Sequence, residues 1–351
     1  MVKKGKKKSG GKKDSKSKEP SAMQLQMQEL AKRFWAGYQK RLTAAGQQAI
    51  PAVETAVKTT IKDCAPFVHL VVDSVELYTT QNPQSRLAPL FNALLETGYP
   101  FLQELYLWNL TLRNEDAAVL STYLRQRRDF TKFEMLGCKF ADTRGLATLA
   151  EGLGFNKHIT QINMSFIKLG SEGVRLLALE LAHNEMLRKL RLHRCSLDSH
   201  AGEILFRYLS AVPLTHVDLE GNTLGPIGLR DISKVFPASD VLQELSLQEN
   251  GIDVAECSEE DMHAGISGMC ENILQNSTLK TLNLSFNTIG DTYGQMILDA
   301  LKQRKEKGLP TVTIKVGHRM RSELYEAISA AGKLAKKGGK KKKGGKKKKK
   351  K

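Results

Sequence analysis

Cysteine is scarce and scattered. The five residues, at 64, 138, 195, 257 and 270, form no close pair. Such spacing gives no zinc knuckle, no redox couple and no disulfide framework, and it points to reduced structural thiols in an intracellular protein. No run of about 18 apolar residues exists, which excludes a membrane-spanning helix. The first twenty residues contain no apolar stretch, so no secretory signal is expected. Residue 2 is Val and residue 351 is Lys, so neither a myristoylation nor a prenylation motif is present. The eight histidines are isolated. His193 and His216 are nearest to a shared site, but they lack a third ligand, so no metal is expected. No nucleophile, base and acid fall at a catalytic spacing, and Gly339-Lys-Lys-Lys-Lys-Gly344 lacks the Lys-Ser/Thr that a phosphate loop needs. The expectation is a protein with no catalytic residue and no cofactor.

Acid is missing from both ends. Residues 1–20 hold nine Lys against Asp14 and Glu19, and residues 333–351 hold thirteen Lys and no acid. The formal charge of +17 therefore lies in two tails, and the remaining body sums to −3. The Lys clusters at Lys3, Lys4, Lys6, Lys7 and Lys8, and at Lys340, Lys341, Lys342, Lys343, Lys346 and Lys347, suit polyanions held by charge alone. With almost no Arg and no aromatics they carry no means of reading a base sequence. Solubility alone, or nuclear import through Lys340 to Lys343, remain open for them.

What is present is a repeat. Leu279-Lys-Thr-Leu-Asn-Leu-Ser-Phe-Asn-Thr-Ile289 has the form L-x-x-L-x-L-x-x-N-x-L, and copies start at 102, 130, 159, 187, 214, 242 and 279. Positions one, four, six and eleven are apolar in all 28 slots. Alternation at four and six predicts a strand with one buried face. Position nine turns the chain off the strand. It is Asn in Asn222, Asn250 and Asn287, Cys in Cys138 and Cys195, and apolar in Leu110 and Ile167, where a looser turn is expected. Val174, Leu177, Ala178 and Leu181 then recur at helix period after Ser171.

This motif resembles the leucine-rich repeats, and the unit of about 28 residues resembles their ribonuclease-inhibitor-like branch. The resemblance implies an α/β solenoid, a horseshoe with a parallel sheet on the concave face, helices on the convex face and N-terminal capping helices. The expected division is a Lys-rich tail at 1–20, a helical cap or docking segment at 21–66, the solenoid at 67–332 and a Lys/Gly tail at 333–351.

Within the segment 21–66, Met23, Met27, Leu30, Phe34, Tyr38 and Leu42 mark one amphipathic helix, and Pro51 opens a second. The pair either caps the array or presents Phe34, Trp35 and Tyr38 to a partner. Phe67, Leu70, Val72, Val75 and Leu77 form a degenerate first repeat, with a helix from Ser85 to Glu96. The 37-residue interval before 279 holds Asp253, Glu256, Glu259, Glu260 and Asp261, an expected solvated acidic loop without the alternation and Gly of a calcium loop. Val312, Ile314 and Val316 predict a last strand, and Leu324, Ile328 and Leu334 a closing helix.

Outward strand positions run from aromatic (Tyr106, Trp108) through basic (Arg188, Lys189, Arg191, His193, Arg194) to acidic (Asp218, Glu220, Glu244, Glu249). These are the candidate partner-binding residues. Either Arg191 pairs with Asp218 and Arg194 with Glu220, or the cations receive an acidic partner. Trp108 either anchors a partner or packs on the N-terminal helices.

The Lys-Gly start Met1-Val-Lys-Lys-Gly-Lys-Lys-Lys8 and the N-terminal helices resemble axonemal leucine-rich-repeat proteins, such as those associated with the dynein regulatory complex and radial spokes. That resemblance implies a cytoplasmic scaffold of the cytoskeleton in the cilium or flagellum, binding other proteins and, through its tails, acidic tubulin. The alternative is a nuclear or nucleolar ribonucleoprotein adaptor whose tails grip RNA phosphate without sequence specificity. Ran-type GTPase-activating proteins share the repeat class but end in acid, and this chain ends in Lys.

Overall fold

The computed structural model describes residues 21–74, 87–235, 241–255 and 258–332. The two Lys-rich tails, Val75, Leu77, Ser85, Glu256, Cys257 and Leu334 lie outside the described residues. Main-sheet strands are β1 (His69–Asp73), β2 (Glu104–Trp108), β4 (Lys132–Leu136), β6 (Gln161–Asn163), β7 (Lys189–Arg191), β8 (His216–Asp218), β9 (Glu244–Ser246), β10 (Thr281–Leu284) and β11 (Thr313–Val316). They pair in chain order, all parallel, in one nine-stranded sheet. Short β3 (Thr111–Leu112) and β5 (Lys139–Phe140) pair beside it.

A helix follows each main strand: α3 (Leu87–Thr97), α4 (Asn114–Gln126), α5 (Thr143–Phe155), α6 (Gly170–Leu181), α7 (Ser199–Tyr208), α8 (Gly225–Val235), α9 (Glu259–Gln275), α10 (Gly290–Glu306) and α11 (Ser322–Ala331). Strands stack about 4.8 Å apart while helices need about 10 Å, so the stack curls with its sheet inside.

The apolar slots of the repeat form the core. All are buried except Phe140, which is half-exposed. Helices crowd closely enough that a Cβ at Gly154 in α5 would strike the backbone of Glu180 in α6.

Asn side chains tie coil to coil. Asn222 donates to the Leu192 and Leu219 carbonyls and accepts from Cys195 and Leu197 amides of the preceding turn. Asn287 does the same for Asn250 and Ile252. Cys195 and Cys138 take the slot as thiol donors, to Met164 and Leu107 carbonyls at 3.1 and 3.2 Å. Burial raises both thiols, Cys195 to about 12 and Cys138 to about 11.

The turns at Leu110 and Ile167 are not looser, as the missing Asn suggested. Position eight is left-handed in all seven repeats, as Asn109, Gly137, Phe166, Arg194, Gly221, Glu249 and Phe286, with φ between 49° and 71°. Leu110 and Ile167 are buried behind that same turn.

A second ladder, at the helix-to-strand corner, went unread in the sequence. Asn156, Asn184 and Asn276 sit three residues before the repeat start. Each accepts two amides of its own turn, and Asn156 and Asn184 also donate to carbonyls of the preceding coil. In the last coil the buried Arg304 takes over that donation, to the Ile273, Asn276 and Pro310 carbonyls.

The N-terminal helices are a cap. Helix α1 (Ala22–Ala45) starts at Ser21 with a reciprocal capping box to Gln24 and buries Ala31, Phe34, Tyr38 and Leu42. Helix α2 (Pro51–Asp63) begins on Pro51 and buries Val53, Val57 and Thr60. Phe34 stacks on Tyr38, and Tyr99 packs on Phe67 with 4.2 Å between centroids. A partner-docking stripe of Phe34, Trp35 and Tyr38 is thereby overturned: Phe34 and Tyr38 are fully buried, and half-buried Trp35 packs on the core.

The acids of the long interval also depart from the expected loop. Ser258 caps α9, and Glu259, Glu260 and Asp261 form its first turn, where the helix dipole favours negative charge. Asp253 bridges to Thr288, and Asp261 pairs with Arg230.

Candidate protein-binding face

The sheet register lays the concave side chains in rows. One row runs Tyr106, Glu134, Asn163, Arg191, Asp218, Ser246, Asn283 and Lys315. A second brings Lys132, Gln161, Lys189, His216 and Glu244 side by side.

The aromatic end is knitted into the face. Trp108 donates from Nε1 to Glu134 at 3.2 Å, and Lys132 lies 4.6 Å over the Tyr106 ring while donating to its hydroxyl. Asn163 donates to Glu134 in turn. Trp108 is thus tied to the neighbouring strand and to Tyr106, and it is half-buried.

Neither expected lateral pair forms an ion pair. Asp218 meets His193, with Nε2 at 2.8 Å from Oδ2. Burial works to raise the Asp218 carboxyl, but His193 together with the Glu220 amide and the Ser246 hydroxyl holds it below the usual carboxylate range. Arg194 reaches past the adjacent coil to Glu249, two coils on. It can do so because it crosses Gly221, where a Cβ would lie 2.6 Å from its Cγ. Left-handed backbone at position eight aims Arg194 and Glu249 along the rim, which pattern alone cannot show. Arg188 turns away to the Glu185 and Leu187 carbonyls and leaves the cation cluster.

Three cations on this face are left over, Lys189, Arg191 and Lys315. Among the described residues Lys189 and Arg191 make no side-chain hydrogen bond or ion pair, and Arg191 is exposed. With Lys315 across the arc they line a cavity of about 190 Å³, whose wall also carries Asp218, Glu220 and Glu244 beside Ser246, Thr281 and Asn283. Burial lowers His216 from its ordinary value, Glu244 opposes that, and Lys189, Arg191 and Lys280 add to it, so His216 is neutral at pH 7. The sequence reading placed Asn283 on this face but missed Lys315 and Glu134; their row number within each repeat was the available signal.

His193, Asp218 and Glu220 bring one donor atom each within 4.8 Å of one another. The pairing of His193 with His216 considered for zinc does not occur; His193 turns to the carboxylates instead. Arg191 stands beside Asp218 in the register, and its charge disfavours a divalent cation there.

The described coils are consecutive strand–turn–helix units of about 28 residues, and a leucine-rich-repeat family profile matches residues 212–233 and 275–295. Porcine ribonuclease inhibitor (Sus scrofa) is 26% identical over 225 residues, 58% of this chain. The chain folds as a leucine-rich-repeat solenoid, and it is similar to the ribonuclease-inhibitor-like arrays.

Human NACHT, LRR and PYD domains-containing protein 5 (Homo sapiens) is 29% identical over 213 residues, 59% of this chain. The chain spans 17% of that protein and 49% of the inhibitor. Among solved structures, the tropomodulin C-terminal domain of Caenorhabditis elegans overlaps with a TM-score of 0.37 at 16% identity, covering 48% of this chain and 96% of that one. A yeast complex of Rad7 and Elc1 overlaps at 0.36 and 14% identity, covering 86% of this chain and 91% of that one. Overlaps of that size are too slight to bear on function. Leucine-rich-repeat arrays as a class are protein-interaction scaffolds whose curvature offers an extended concave surface. No helix among the described residues is long and apolar enough to cross a membrane.

Proposed function

We propose that this protein is a non-catalytic scaffold of the ciliary or flagellar axoneme that receives an acidic segment of a partner on its concave face. The observation that supports it is the pair of cations, Lys189 and Arg191, left unpaired on a face whose other charged side chains mostly have neighbours to satisfy them. A cation surrounded by satisfied groups is available to a partner without breaking an existing bond, and a rigid sheet presents it with little reorganisation. The Lys-rich tails add unspecific adhesion to acidic surfaces such as tubulin tails, and several weak contacts joined by linkers reinforce one another.

Two measurements test this. Microtubule co-sedimentation is expected to weaken on deletion of residues 335–351, on Lys189→Glu with Arg191→Glu, and in about 0.5 M salt, where screening lengths fall to a few Å. Binding indifferent to all three overturns the reading. Imaging of tagged protein is expected to trace the flagellum; concentration in the nucleolus instead would favour tails gripping RNA phosphate.

A further inference from the structure

The two ends of the sheet are finished differently. At the first strand, α1 and α2 cover the core. At the last, β11 is paired on one side only among the described residues. Gly332 packs on the backbone of Thr313 and Ile314, and its carbonyl accepts from the Thr313 hydroxyl, so the chain covers the start of that edge itself. Beyond this cover lies a cavity of about 670 Å³, in the place a further coil would occupy, bordered by Phe286, Lys315, Val316, Gly317, Arg319 and Tyr325.

Three features of the cavity are not explained by folding. Phe286 is 76% exposed, so its ring gains almost nothing from burial. It also stands at the left-handed position eight, with φ 58°, which Gly or Asn would occupy with less strain. The charges are lopsided. Among the described residues Lys315 has no ion pair and Arg319 bonds only to the Thr288 hydroxyl, and the His318 ring lies tilted against Tyr325 at 4.6 Å. The lining acid, Asp253, already accepts from the Ala255 amide.

We propose that this end of the sheet is a second docking site, which shares Lys315 with the cavity of Lys189 and Arg191 but includes neither of those two residues, for an extended acidic peptide carrying one large apolar side chain. The peptide backbone adds beside the free edge of β11, its apolar side chain lies against Phe286 and Tyr325, and its carboxylates meet Arg319 and Lys315. Charge argues against the chain's own ending as occupant. Residues 333–351 hold thirteen Lys and no acid, and these repel a cationic cavity.

The test is fluorescence anisotropy on the full chain with three labelled peptides of equal length: polyglutamate with a central leucine, polyglutamate alone, and polylysine with a central leucine. The leucine-bearing acidic peptide is expected to bind roughly tenfold tighter than polyglutamate, the ratio typical of one buried apolar anchor. Polylysine is expected not to bind. Phe286→Gly is expected to erase the leucine preference and keep polyglutamate binding, with an unchanged or higher melting temperature as proof of folding. Arg319→Glu weakens both acidic peptides; Lys189→Glu with Arg191→Glu leaves the leucine preference in place. No leucine preference in the wild type, a preference that survives Phe286→Gly, or one abolished by the concave-face double variant overturns the proposal. Light scattering adds a further arm: dimerisation lost on Phe286→Gly would assign the cavity to a second copy and overturn the peptide.

Discussion

At the scale of the residue, position eight decides more than its place in the motif suggests. Left-handed backbone costs a residue with a Cβ about 1–2 kcal/mol, and Phe166, Arg194, Glu249 and Phe286 all bear that cost. Phe166→Gly is expected to raise unfolding free energy by up to about 1 kcal/mol in a urea titration, the relief of strain being offset by backbone entropy. Gly221→Ala is expected to lower it by about 1 kcal/mol or more, because the new Cβ meets Arg194 as well as an unfavourable φ. Asn222→Ala removes the partners of two buried amides and two carbonyls and is expected to cost about 2–4 kcal/mol. pH enters through Asp218. Its carboxyl is lowered in the fold, so its stabilisation is complete above the ordinary value of 3.8 and lost as pH falls through the folded value. Asp218→Asn should flatten that acid limb. The raised thiols run the other way. Their contribution is complete below the ordinary value of 9.0 and drains as pH climbs toward about 12 for Cys195 and Cys270, so a thiol reagent at pH 8 is expected to reach them only after unfolding.

At the scale of the element, the cap and the corners carry the stability of the ends. Phe34→Ala in α1 empties a site packed by Tyr38, Phe67 and Tyr99, and is expected to cost about 3–5 kcal/mol by thermal melt. The sequence foretold the strands, the helices and the N-terminal cap, because period two and period 3.6 are set by the local backbone. It did not foretell the acidic turn at Ser258, although Ser-x-x-Asp is a legible helix start, because a cluster of acids is compatible with either a solvated loop or a helix's first turn. Nor did it foretell that Arg194 would leap two coils to Glu249, since that reach depends on the missing side chain at Gly221 and on a turn geometry invisible to the motif. Of the candidate face, Lys189 and Arg191 were legible from strand alternation. Arg188 and Lys315 were not, because loop carbonyls claim the first and the curl of the sheet brings in the second.

At the scale of the whole molecule, charge and shape are divided between regions. The described body is folded, curved and slightly acidic in sum, while the formal charge of +17 is concentrated outside it. Salt should therefore weaken any attachment made by the ends far more than it alters the melting temperature of the body, and the two can be measured on one sample. The strictly sequential pairing of the nine strands has one more consequence. Apart from the exposed Arg194–Glu249 pair, strands and helices of each coil pack on those of the adjacent coils, so a molecule drawn out between its termini should surrender coils singly, from an end. In a single-molecule pulling trace this would read as a train of force drops, most releasing about 28 residues, or roughly 95 Å of chain, with one longer step from the 37-residue coil that starts at Leu242. Such a body would yield by steps under load and rewind by steps when the load is removed.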